Sequence, residues 1–116
     1  MKKYRRQLSQ HALELIAARF RALAEPMRLM ILHQLGGDEL SVTEIVQVTG
    51  AGQANVSKHL SLMHEAGLVT RRKEGLNVFY RVADPGIFEL CDAVCSSLDE
   101  RLANQQSAVR KLKSRK

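Results

Sequence analysis

Along the first half of the chain, apolar side chains recur with the spacing of helices; then the period changes. From Ser9 to Ala24 they fall at Leu13, Ile16, Ala17, Phe20, Leu23 and Ala24, a stripe along one side of a helix. Pro26 suits the first turn of a second helix, MRLMILHQL, which Gly36-Gly37 would end. In SVTEIVQVTG, Ser41 is followed three residues later by Glu44, which predicts a capping box, and Gly50 is placed to close a short third helix. The chain resumes as GQANVSKHLSLMHEAG, closed by Gly67. Helix, tight turn, helix is the helix-turn-helix pattern.

LVTRRKEGLNVFYRV then alternates, with Val78, Tyr80 and Val82 on one face and Asn77, Phe79 and Arg81 on the other. Glu74-Gly75 is the expected tight turn of a hairpin, because glycine tolerates positive φ. Asp84-Pro85 offers an N-cap and a first-turn proline to a last helix, PGIFELCDAVCSSLDERLANQQ. The expected fold is therefore mainly α with a small β-hairpin, a winged helix-turn-helix. The last helix carries one stripe at Ile87, Cys91, Val94 and Leu98, widened by Phe88, Cys95 and Leu102. That is more apolar surface than a short domain can cover alone, so a dimer is expected.

The helix that begins near Gln53 is polar at its leading end, where a helix-turn-helix enters the DNA major groove. Gln53 and Asn55 each offer a donor and an acceptor to a base edge, and Ala54 between them belongs to the same surface. Ser57 and Lys58 suit phosphates. His59 has two readings, a further DNA contact or a packing residue at the helix flank. Arg71, Arg72 and Lys73 precede the hairpin turn and Asn77 follows it, positions from which a wing can follow the phosphate backbone or the minor groove.

Charge changes this picture only slightly. The 116-residue chain has a formal net charge of +6, but residues 1–6 hold four basic groups and residues 101–116 six, with no acid in either. The stretch between is net negative. The expected organisation is a basic arm over 1–8, a winged helix-turn-helix domain with dimerisation helices over 9–103, and a basic tail over 104–116. No apolar run approaches the roughly 20 residues of a membrane span, so no membrane partner is expected. The basic N-terminus leads into no signal-peptide apolar segment, which makes the cytoplasm the expected compartment.

RALAEPMRLMILHQL, followed by ELSVTEIVQVTGAGQANVSKHLSLMHEAGLVTRRKEGLNVFYRV, resembles the ArsR-type (ArsR/SmtB) winged-helix transcriptional repressors over about residues 15–82. The combination of Q-x-x-V-S-K-H-L, E-A-G-L-V and a wing of the R-E-G kind carries the likeness. The resemblance implies a homodimer, joined through the first and last helices, on an imperfectly palindromic double-stranded DNA operator, released by an effector. A winged-helix protein-interaction module without DNA binding is the alternative. Catalysis is not expected: no nucleophile–base pairing, phosphate-cradling glycine loop or metal-ligand motif is visible, and no histidine lies near either cysteine.

Many members of that family sense thiophilic metals through cysteines in an E-L-C-V-C-D-L pattern. This chain reads E-L-S-V-T-E-I, with Ser41 and Thr43 at those positions, and hydroxyls are poor ligands for such ions. A second family site uses Asp and His on the last helix, where this chain has no histidine. Cys91 and Cys95 remain, four residues apart and on about the same side of the helix. Three readings stand: small hydrophobes in an interface, residues without a role, or ligands and redox thiols completed by a second chain. The last would take a thiophilic metal or metalloid, or an oxidant; no cofactor is otherwise called for. A disulfide between the two would distort the helix, since Cβ atoms at this spacing lie ~5–6 Å apart and a disulfide needs about 3.8 Å. If the thiols carry the signal, Cys91→Ser/Cys95→Ser abolishes the change in operator affinity caused by oxidant, arsenite or zinc. An unchanged response to all three in that variant ends the sensor reading.

Overall fold

A computed structural model describes the backbone of residues 6–113 and the side chains of residues 6–105. The order of elements is α1 (Gln10–Leu23), α2 (Pro26–Leu35), β1 (Leu40–Ser41), α3 (Val42–Thr49), α4 (Gln53–Glu65), β2 (Val69–Glu74), β3 (Asn77–Val82) and α5 (Gly86–Lys113). They fall into two compact units, Met1–Ala83 and Asp84–Lys116. Residues 1–5 of the basic arm and 114–116 of the tail lie outside the described residues.

In the first unit, each helix boundary has a local chemical cause. The Ser9 hydroxyl accepts the Ala12 N–H at 3.1 Å and starts α1. The Glu25 carboxylate accepts the Arg28 N–H at 2.9 Å and starts α2, with Pro26 in its first turn. The Ser41–Glu44 capping box is complete: Glu44 N–H donates to Ser41 Oγ at 3.2 Å, and Ser41 N–H donates to Glu44 Oε1 at 2.9 Å. Gly50, at φ +71°, ends α3 in the left-handed conformation.

The exit from α4 sets the direction of the wing. Gly67, at φ +77°, lets its own N–H donate to His64 O while Leu68 N–H reaches back to Met63 O at 2.8 Å. This is a Schellman closure, and its paired apolar residues, Met63 and Leu68, are both fully buried. The chain thus turns straight from α4 into β2.

β2 and β3 form the expected antiparallel hairpin, but its turn is Gly75-Leu76, one residue later than expected. Glu74 pairs with Asn77 as the last rung, and only Gly75 of the two turn residues has positive φ. A third strand joins the sheet: β1 pairs with β3 through Leu40–Tyr80 and Ser41–Phe79, giving the order β1-β3-β2. Two residues are too few to leave a periodic signal, so the sequence showed Ser41 only as a cap.

Leu23 of α1, Ile31, Leu32 and Leu35 of α2, Ile45 of α3, and Val56, Leu60 and Met63 of α4 make the core with Leu68, Val69 and Tyr80. In the second unit, Gly86 N–H donates to Asp84 Oδ1 at 2.9 Å and α5 runs to Lys113. It continues past the expected start of the tail at 104, since no glycine or proline interrupts residues 87–116. No helix among the described residues is long and apolar enough to cross a membrane. Ile45→Ala, at a fully buried position, is expected to cost about 2–5 kcal/mol, read as a lower denaturation midpoint at unchanged slope.

Candidate nucleic-acid interface

α4 is two-sided. Val56, His59, Leu60 and Met63 point inward, while Gln53, Ala54, Asn55, Lys58, Ser61, Leu62 and Glu65 are exposed and Ser57 is half-buried. Gly52 caps the helix without a side-chain hydrogen bond, unlike the caps of α1, α2 and α3. The readers expected at the leading end of this helix therefore sit together on its outer surface.

His59 does not join them. It is buried, with Nδ1 3.3 Å from Arg28 Nη1 and Nε2 3.8 Å from Glu25 Oε2. Of its two readings, the structure has the packing one. The physical reason is rotation: three residues on from Val56 and one before Leu60, His59 shares the buried stripe.

Strand alternation divides the cation run. Val69, Arg71 and Lys73 share one face, opposite Val82, Tyr80 and Val78, whereas Arg72 lies on the other face opposite Phe79. Arg71 reaches the α4 side, where it lines a cleft of about 420 Å³ with Lys58, Ser61, Leu62, His64 and Glu65. Lys58 and Arg71, separated by thirteen positions of sequence, thus converge between helix and wing. Ser61 and His64 escaped the sequence reading, although Ser61 lies three residues beyond Lys58, one helical step around the same outer face.

Arg72 makes its contacts within the chain. It donates through Nη2 and Nε to Glu39 at 2.6 and 3.2 Å and through Nη1 to Glu74, and its guanidinium lies 4.8 Å from the Phe79 ring centroid. It thus lies on a different face of the hairpin from Arg71 and Lys73. Glu39 gives no local signal of its role, being 33 residues away. Lys73, Asn77 and Arg81 are exposed.

The matching segment of a family model for bacterial regulatory proteins of the arsR family is residues 25–71. The regulator NmtR of Mycobacterium tuberculosis is 35% identical over 85 residues, 73% of this chain and 71% of that protein. The chain belongs to the ArsR family. A probable mercury resistance operon repressor of Streptomyces lividans is 39% identical over 71 residues, which span 61% of this chain and 57% of that relative. A solution structure from Mycobacterium bovis, described as a homodimeric winged helix-turn-helix DNA-binding domain and possible ArsR-family transcriptional regulator, superposes with a TM-score of 0.70 at 33% identity. It covers 85% of this chain and 94% of its own. ArsR proteins are transcriptional regulators, and this chain has their winged-helix fold.

On α5, Cys91 is half-buried and Cys95 exposed, its Sγ 3.9 Å from Asp99 Oδ2. Two thiols on one helix are half of a four-thiolate zinc set, and among the described residues no three His, Cys, Asp or Glu side chains are grouped to hold a metal ion.

The Glu39 carboxyl is held below its ordinary range, first by the hydrogen bond from Arg72; desolvation opposes this, and the Arg72 and Arg81 charges add to it. Arg72 is raised in turn, chiefly by Glu39 and then by Glu74. Because folding favours ionised Glu39, the contact is at full strength above the ordinary glutamate range and fades as pH falls through the lowered value. Wing amide resonances are expected to shift in acid with a midpoint below that of free glutamate. Glu39→Gln should remove this titration while leaving the helices unchanged.

Proposed function

We propose that two copies of the chain bind an imperfectly palindromic DNA operator and repress transcription until an effector releases them. The observation that carries this reading is the outer surface of α4, whose Gln53, Ala54, Asn55, Ser57 and Lys58 run into the Lys58–Arg71 cleft beside the wing. Gln53 and Asn55 would read base edges in the major groove. Lys58, Arg71 and Lys73, with Ser57 and Asn77, would hold phosphates on either side. Arg72 would instead brace the wing through Glu39 and Glu74.

Exposed apolar side chains support dimerisation through the first and last helices: Leu13, Ile16 and Phe20 on α1, and Leu90, Val94, Leu98 and Leu102 on α5. The homodimeric state of the M. bovis protein agrees with it. Two-fold symmetry then matches two reader helices to two half-sites about one helical turn apart. A regulator of this kind works in the compartment that holds the chromosome, in keeping with a cytoplasmic location and with no catalytic role.

A mercury-resistance repressor among the relatives makes a thiophilic ion a fitting class, and Cys91 and Cys95 would serve it only with donors from a second chain.

DNA selected from a random pool by the purified protein tests the whole reading. Gln53→Ala should relax preference at one operator position by about 1–3 kcal/mol. Lys73→Ala should weaken binding to all sequences alike and lower the salt slope by about 1. Unchanged specificity and affinity in Gln53→Ala would mean that α4 is not the reader.

A further inference from the structure

Arg28 joins three helices. From α2 its Nε donates to Ala22 O at 2.7 Å and its Nη2 to Arg21 O at 3.4 Å, both at the end of α1, and its Nη1 faces His59 Nδ1 of α4 at 3.3 Å. A guanidinium has only donors, so the imidazole must present a lone pair at Nδ1. An imidazole that accepts at Nδ1 carries its proton on Nε2, which faces Glu25 Oε2 3.8 Å away, too far for a direct hydrogen bond. Glu25 is itself occupied in capping α2 through Arg28 N–H. Arg28 and Glu25 are thus the charged groups that meet the buried ring.

We propose that His59 is a positioning residue for DNA binding: through Arg28 it ties the carbonyl end of α1 to the setting of α4. The inference rests on α4 being the reader helix. His59 follows the exposed Lys58 directly and lies one turn beyond Asn55, so whatever fixes its ring fixes the rotation of both. The apolar contacts of Val56, Leu60 and Met63 hold α4 on the core, but such contacts are non-directional. The Arg28–His59 hydrogen bond supplies direction and reaches back to α1. A rearrangement at the end of α1 is thereby felt at the reader surface without any contact between an effector and α4.

Three measurements test this. In the free wild-type protein, imidazole ¹⁵N shifts should show His59 protonated at Nε2 and unprotonated at Nδ1. His59→Leu, which keeps volume but has no acceptor, should bind the selected operator on the order of tenfold more weakly while its melting temperature stays close to wild type. His59→Asn places an amide oxygen near the Nδ1 position and should restore most of that affinity. The proposal is overturned by the opposite tautomer, by wild-type affinity in His59→Leu, or by equal weakness of the Leu and Asn variants. Wild-type protein on the same operator separates the two failures: if it does not bind, the reader assignment itself is lost. Loss of folding in His59→Leu leaves the tautomer to decide.

Discussion

The rotation of α4 about its own axis is the constraint on which its outer surface depends, and it is set by burying Val56, Leu60 and Met63. Each such side chain contributes about 1.5–3 kcal/mol when withdrawn from water. Successive residues are about 100° apart around a helix, so fixing those three leaves little choice for the rest. Gln53, Asn55 and Lys58 must then look outward, and His59 must look in. One apolar stripe both holds the helix and selects the polar surface it displays.

The wing obeys a different periodicity with a similar result. Because neighbouring strand residues face opposite ways, a run of three cations cannot act as a block. Arg71 turns toward α4, where Lys58 waits; Arg72 turns toward Glu39, Glu74 and the Phe79 ring. What charge counting offers as three equivalent cations is, in space, two on the face of Val69 and one on the face of Phe79, paired with two carboxylates.

Features with local causes were readable in advance. The Ser41–Glu44 capping box, Pro26 in a first turn, Gly50 and Gly67 as helix ends, and the alternation of Val78, Tyr80 and Val82 all depend on residues within a few positions of one another. The outward placement of Gln53, Asn55 and Lys58 followed from the same helical arithmetic. Features that depend on distant partners were not readable. β1 exists because β3 offers it hydrogen bonds across some forty residues. Glu39 matters because Arg72 returns to it, and the partner of the His59 ring, Arg28, lies on another helix. The hairpin turn moved by one position because the Glu74–Asn77 rung forms, which places both flanking residues in strands.

That rung also limits how the wing can change length. With a two-residue loop and one face packed on the protein, adding a single residue to β2 would exchange the sides of everything beyond the insertion. An addition before Arg71 would swing it away from Lys58 and bring a neighbour of opposite orientation into the cleft. Lengthening by two, matched on β3, would keep every side chain on its present side. Longer or shorter ribbons built on this scaffold should therefore differ by even steps per strand, with odd ones absorbed by a bulge.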